Sequence, residues 1–534
     1  MPYPRLYSEA TAAGDHLRAT LDWDAMVAQW RGFTPSGTFK SPYDFVIVYD
    51  GVDYYACNAF QVVYGGPDDA GGVDGGDAAA VINAAVASDK YVFIAGSDYD
   101  LNGTDISIVG VSNCTIVGAG RGHTVLQNGA ILKNDAGATY NIVIRDLTVD
   151  ANNLANHNCI NLGTNTYSPR IINCELKNTN NYFLLDWAGV DNLIVEDCVF
   201  SDGGLTVAVD NCAGAQLKTT NNTSIFRNNY FVKNASAGSA LLTTGATGNI
   251  LIEGNAFIDL SNLAYAAVSI ENFYGTCKSI QVVNNYAYAV PITVGNNAVN
   301  QMEYVNISNN IIQGLAATTN GGGGIICQKA ERAVISGNIL LDGVYGIFML
   351  NIDSVIASNN ILHNTDIDSA GLPTTAAFYL SGCGVARVQG NTVTDDAGTT
   401  PYAIHYTGGD VYIQDNTFKG PFTTACLSCG GATNYAKITN NSLVGSVIGL
   451  ASVTTKDVHG NTGFVTESWG KETGVSPILN VAHGLSGAPT TIILTGAGTT
   501  PFSATFWGEN ATDFDIYHDA GVSTGIAWYA KYKP

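Results

Sequence analysis

Basic charge is scarce in this chain. Its 23 Lys and Arg residues face 45 Asp and Glu, for a net charge of −22 over 534 residues. That excess argues against nucleic acid or an anionic membrane as a partner, and makes a strongly anionic glycan an awkward ligand unless cations intervene. Long apolar runs are missing as well: no segment approaches about eighteen unbroken apolar residues, so no membrane insertion is expected. The opening MPYPRLYSEATAAGD has no basic stretch followed by an apolar run, so no export signal is expected. Charged residues are only 13% and helix formers are few, whereas 60 glycines and 46% apolar residues suit β-coils and tight turns around a large core.

What is present is a repeat. An apolar strand ending in asparagine returns ten times, as IFRNNYF, LIEGNAF, QVVNNYA, NISNNII, VISGNIL, IASNNIL, RVQGNTV, YIQDNTF, KITNNSL and DVHGNTG. The anchors are Asn229, Asn255, Asn285, Asn310, Asn338, Asn360, Asn391, Asn416, Asn441 and Asn461, spaced 20 to 31 residues apart. Three residues before each anchor the side chain is always apolar, from Phe226 to Val458, so one strand face is expected to be buried. Weaker copies upstream put Leu147, Cys174 and Cys198 at the anchor.

A unit of roughly 25 residues with one strand and one turn residue suits coils stacked about 4.8 Å apart. The expected fold is all-β: a right-handed parallel β-helix of about 13–14 coils, roughly 60 Å long, with an N-terminal capping helix, a small head and a C-terminal β-sandwich. Asparagine suits the anchor because it tolerates the left-handed turn conformation and because stacked amides hydrogen-bond as a ladder.

Eleven cysteines are an odd number, and Cys327, Cys383 and Cys426 fall at inward positions, as small apolar residues do. Cys174 and Cys198 share the anchor in adjacent coils, close enough in principle for a disulfide. Cys426 and Cys429 form a lone CxxC without the second pair that a metal site of this type needs.

Three domains are expected: a head or attachment region over 1–66, with a helix from Asp15 to Trp30; the β-helix over 67–465; and a C-terminal module over 466–534. In the loop PDDAGGVDGGD, Asp77 is a fitting N-cap for the helix AAAVINAAVA, which would cover the open edge of the first coil. The run DGGDAAAVINAAVASDKYVFIAGSDYDLNG, with ISIVG and CTIVGAGRGHTVL after it, resembles the opening of the pectate-lyase superfamily, which includes the tailspikes of tailed viruses. Ala95-Gly96 stands where that family has proline-glycine. The resemblance implies a β-helix over 67–465 and spans lyases, hydrolases, epimerases and inert rods, so activity must be argued from the site. Trp507, Trp528 and Tyr529 in the tail suit either sugar stacking or packing within the core or a trimer.

A second strand in each coil can also be aligned. Its last residues read Gly163, Asp186, Asp210, Thr244, Glu271 and Gly295, an expected outward file along the rod. Asp186 and Asp210 would lie about 5 Å apart and Glu271 about 10 Å further on. Two carboxylates that close cannot both ionise cheaply, and an acid with a base on one face is the equipment of glycoside cleavage. Asp186, Asp210 and Glu271 are therefore the catalytic candidates, with Trp187 as a sugar platform and Thr244 as a substrate contact. The resemblance implies that this sheet lines the substrate groove. The bland alternative is a solvated acid file, or a Ca²⁺ site built from its oxygens; no other cofactor or metal is expected. A second file, Arg145, Ile172, Glu196, Arg227 and Glu253, alternates in sign as a salt-bridge ladder does.

The family's hydrolase signatures, an NTD followed by paired Asp and GHG, are missing from the coils, as is an Arg beside a three-carboxylate Ca²⁺ site. Three functions stay open. The first is a virion tailspike or tail fibre that binds and depolymerises a host-surface polysaccharide, attached to a tail or baseplate protein and homotrimeric. The second is a non-enzymatic receptor-binding fibre or adhesin rod. The third is a secreted polysaccharide lyase or hydrolase, outside the cell rather than on a virion tail.

Overall fold

The computed structural model describes residues 43–58, 62–132, 137–154, 158–163, 165–179, 184–203, 215–218, 223–233, 239–244, 248–259, 266–271, 277–288, 290–295, 301–313, 324–342, 346–364, 376–396, 400–422, 424–431, 433–444, 448–450, 453–463, 467–472, 478–482, 489–496, 504–507, 513–518 and 526–531. Among these residues, no helix is long and apolar enough to cross a membrane.

The repeat builds a parallel β-solenoid. A typical coil contributes Ser239–Thr244, then Asn249–Glu253, then the anchor Asn255 and the strand Ala256–Asp259. Each strand pairs in parallel with its equivalent one coil on. Among the described residues, the strands after the anchors make a sheet of fourteen, from Ser97–Asp100 to Ser442–Val444. The two strand sets before the anchor merge into one 30-stranded sheet, because Ala376–Gln389 and Tyr402–Gln414 run through both without a break.

Alternation along the strands fills the interior. Val195, Phe226, Ile252, Val282, Ile307, Ile335, Ala357, Val388, Ile413 and Ile438 follow one another in register, all buried, and partly buried Val458 closes the file. On the facing sheet Phe200, Phe231 and Phe257 stack with ring centroids 4.5 and 4.9 Å apart. A period of two in sequence thus becomes straight interior files, each side chain meeting its counterparts above and below.

The anchors form the expected ladder. In every coil from Asn229 to Asn441, the backbone N–H and Nδ2 both donate to Oδ1 of the next anchor, at 2.9–3.0 Å. Nδ2 also donates to a carbonyl of the preceding coil, as Asn338 does to Ile307 at 2.9 Å. Upstream, thiols extend the file: Cys198 N–H donates to Asn229 Oδ1 at 2.9 Å, and Cys198 Sγ donates to Ile171 O at 3.5 Å. Cys174 and Cys198 are unbridged thiols, with Cys174 N–H donating to Cys198 Sγ at 3.5 Å. The expected left-handed turn falls elsewhere. The residue before each anchor adopts it, at Asn228, Gly254, Asn284, Asn309, Gly337, Asn359, Gly390, Asp415, Asn440 and Gly460, with φ between 55° and 67°. Bending the chain one residue earlier leaves the anchor side chain inside, and Gly is interchangeable with Asn and Asp at the bend for that reason.

Outside the strands, Arg145, Ile172, Glu196, Arg227 and Glu253 do stand in one file. Arg227 lies 3.6 Å from Glu196 and 3.2 Å from Glu253. Half-exposed pairs of this kind contribute only about 0–1 kcal/mol each.

The helix Ala78–Ala85 forms where expected, Asp77 accepting from Ala80 N–H, with its buried face in the common core. The described part of the head is joined to the solenoid: Phe45–Tyr49 pairs in parallel with Tyr91–Ile94, and Ile47 and Ala56 belong to the same core. The Asp15–Trp30 helix lies outside the described residues. Past the last coil the strands turn antiparallel, in two sheets of three. Phe514 of one sheet meets Trp528 of the other edge-on, centroids 5.5 Å apart. Both are buried, so Trp528 packs inside rather than offering a sugar platform.

Candidate functional site

The candidate site is the outer face of the sheet whose strands precede the ladder strands. Register there is fixed by inward residues: Ile160, Leu185, Ala215, Leu241 and Val268 pair in sequence and are buried. Two further files lie one and three residues along the strands from it, on either side of the Trp187 register. The first runs Asn161, Asp186, Gln216, Leu242, Ser269, Thr293, and the second includes Ala188, Lys218, Thr244 and Glu271.

This differs from the expected file in one respect. Thr244 and Glu271 are register partners, as expected, and Gly295 follows, its N–H donating to Ile270 O at 2.7 Å. Asp186, however, stands in the other file, two residues earlier along its strand, beside Gln216. A slip of two residues keeps Leu185 inward, so the alternation could not distinguish the two registers. Asp210 lies outside the described residues, and the strand paired with Asp186 is Ala215–Lys218. Trp187 belongs to the file of Leu217, Thr243 and Ile270, whose last two members are buried. The side chains of Trp187 and Thr244 are outside the described set.

Glu271 is the carboxylate of the second file. It is half-buried, and burial lifts its carboxyl above the ordinary value, opposed by a hydrogen bond from Ser269 Oγ at 3.4 Å. Gly295, next in the file, is buried, and a side chain there would meet Gln328 O and the Met302 methyl group. Asp186 and Glu271 are three coils apart, roughly 16 Å with the two-residue offset, beyond the ~5–9.5 Å of a glycosidase carboxylate pair. No second carboxylate occupies a described position of these two files within two coils of Glu271. Among the described residues, no cluster of His, Cys, Asp and Glu could hold a metal ion. Burial pushes the Cys429 thiol up to about 12, which keeps it protonated.

The first file continues into aromatic residues. Ile326, Phe348, Tyr379 and His405 follow in register. Phe348 stacks on Tyr379 at 4.9 Å and Tyr379 on His405 at 5.4 Å. Burial lowers the His405 pKa, and its Nδ1 has no hydrogen-bond partner among the described residues. The signal was available: the second residues of IFML, FYLS and IHYT are all aromatic rings.

No protein family and no curated protein matches the sequence. Among solved structures, the chain is similar to the tailspike of E. coli bacteriophage HK620 in complex with a pentasaccharide. The identity is 12%, 95% of this chain and 100% of that chain are covered, and the TM-score is 0.45. It is also similar to the tailspike gp61 of Pseudomonas phage phi297, at 11% identity over 83% of this chain and 90% of that chain, TM-score 0.43. Both are phage tailspikes.

Proposed function

We propose that this protein is a tailspike or tail fibre of a virion, binding a host-surface polysaccharide along the sheet that carries Glu271 and cleaving it with Glu271 as the proton donor. The observation that carries the cleavage reading is the Glu271 carboxyl itself, half-buried and raised in pKa by that burial. A carboxyl with a raised pKa keeps its proton to higher pH, which favours protonation of a glycosidic oxygen. In this reading Asp186 and Thr244 are substrate contacts, partly buried Tyr379 and His405 extend the same sheet beside buried Phe348, and residues 1–66 dock to a tail or baseplate protein.

In this reading the working unit is a homotrimer. A file on the fourteen-stranded sheet, exposed at Tyr230, Ile311 and Ile361 and partly buried at Ala256, Tyr286 and Ile339, supports it. Tyr230, Ile311 and Ile361 are 41%, 39% and 44% exposed, an apolar stripe about 24 Å long that a lone rod would leave to water. Light scattering should give three times the chain mass, and lysine at both Ile311 and Ile361 should shift it to one chain.

A second reading, the inert receptor-binding rod, is favoured by the separation of Asp186 from Glu271. Release of reducing ends from capsule or lipopolysaccharide decides between the two. Glu271→Gln should lower turnover by ~100-fold or more while glycan binding persists. The wild-type rate should fall as pH rises through the raised Glu271 pKa, because the acid form is then lost. Binding without turnover by either protein makes the chain an inert rod.

A further inference from the structure

Three successive coils each insert a short extra strand, Thr139–Tyr140, Thr166–Tyr167 and Val190–Asp191, which pair as a small parallel sheet. Thr139, Thr166 and Val190 are buried, so Tyr140, Tyr167 and Asp191 fall on the outer side. The next residue in each coil, Asn141, Ser168 and Asn192, takes the left-handed conformation and bends the chain. The following strands place Val143, Arg170 and Ile194 in register. The bend makes a shallow groove lined by Asn141, Val143, Ser168, Arg170, Asn192 and Ile194.

Two features separate this groove from an ordinary solvated corner. Tyr140 and Tyr167 stack at 4.8 Å with planes 13° apart, and Tyr140 is 45% exposed. One coil earlier the register partner of Tyr140 is Ser112, too small to cover the ring. An exposed amide ladder also runs into the groove and stops there. Asn113 donates to Asp89 at 2.9 Å and Asn141 donates to Asn113 at 2.8 Å, after which Asn141 Oδ1, the Ser168 hydroxyl, the Asn192 amide and the Arg170 guanidinium have no protein partner among the described residues.

We propose that this groove is a second saccharide site, which takes a sugar residue carrying a carboxylate. The open Tyr140 face matches the C–H face of a pyranose, the amides and hydroxyl match its ring hydroxyls, and Arg170 can take a carboxylate through two parallel N–H donors. The chain's net negative charge does not forbid an acidic sugar here, since exposed charges beyond about 8 Å are screened at physiological salt. The choice of a saccharide rests on the proposed function, but the groove shares no residue with Glu271. It lies three to five coils from it, roughly 14–24 Å along the axis. Such a site would hold the polysaccharide while another stretch of it occupies the Glu271 face.

The test is titration calorimetry on the full Glu271→Gln chain, so that cleavage plays no part. The probes are mannuronate, guluronate and galacturonate oligomers and their neutral counterparts. At least one uronate oligomer should bind at least tenfold more tightly than its neutral partner. Adding Arg170→Gln should remove that preference, and adding Tyr140→Ala should weaken both by about fivefold. Both positions are at the surface, and unchanged melting temperatures will show that the variants fold. Overturning results are no binding of any uronate, binding untouched by either substitution, or equally tight binding of polyglutamate, which would mark a plain anion patch. If Glu271→Gln leaves turnover intact, the cleavage reading fails while the groove is judged by these titrations alone.

Discussion

Asn338→Ala is expected to destabilise the solenoid by roughly 4–6 kcal/mol, although it removes only a small side chain. The amide is fully buried. Its Oδ1 accepts from the backbone N–H and from Nδ2 of Asn310, and its Nδ2 donates to Asn360 Oδ1 and Ile307 O, all within 3.0 Å. Alanine leaves two donors of one coil and a carbonyl without partners in a site water cannot enter, each costing about 1–3 kcal/mol. Asn461, last in the file, is only partly buried, and water can replace what it provides. Asn461→Ala should therefore cost about 1–2 kcal/mol. Denaturant midpoints of the two variants provide the check. Equal, small losses would mean that the ladder decorates the coils rather than holding them.

Ile252→Asp should be more damaging still, at roughly 5 kcal/mol or more. Ile252 is fully buried between Phe226 and Val282 in the inward file, with no basic group there to pair with a carboxylate. The change forfeits about 3 kcal/mol of burial and adds an uncompensated interior charge worth about 3–5 kcal/mol. Since each coil rests only on its neighbours, one broken coil weakens the interfaces on both sides. Thermal unfolding monitored by circular dichroism should show a large fall in midpoint. A midpoint equal to the wild type would place Ile252 on the outer face and overturn the inward assignment.

The fold was legible because each coil repeats one contradiction-free instruction: apolar, variable, bend, asparagine. Ten copies fix the ladder strands, since a slip would bury polar residues or expose Phe226 and Ile252. The site sheet was less legible, since its strands have no anchor. Nothing local distinguishes Leu185 as first or as second inward residue, so alternation alone puts Asp186 two residues from its observed file. The position that should have held its acidic neighbour carries Gln216 instead. The anchor's own chemistry was half legible. The hydrogen-bonding role of Asn310 and Asn338 follows from burial, but the left-handed bend belongs to Asn309 and Gly337, one residue earlier. The pairing of Phe45–Tyr49 with Tyr91–Ile94 is a long-range contact that composition does not encode.

The stacking of coils in register is what every assignment above depends on, and a spin-label distance measures it. Gln281 and Arg387 are exposed and stand in one outward file, linked through Asn306, Val334 and Ile356. Four coil spacings put their backbones about 19 Å apart despite a separation of over one hundred residues in sequence. Labels at these two positions, diluted with unlabelled chain, should give a narrow distribution near that distance. A distribution centred beyond roughly 35 Å, or one too broad to assign, would contradict the solenoid and the Glu271 face with it.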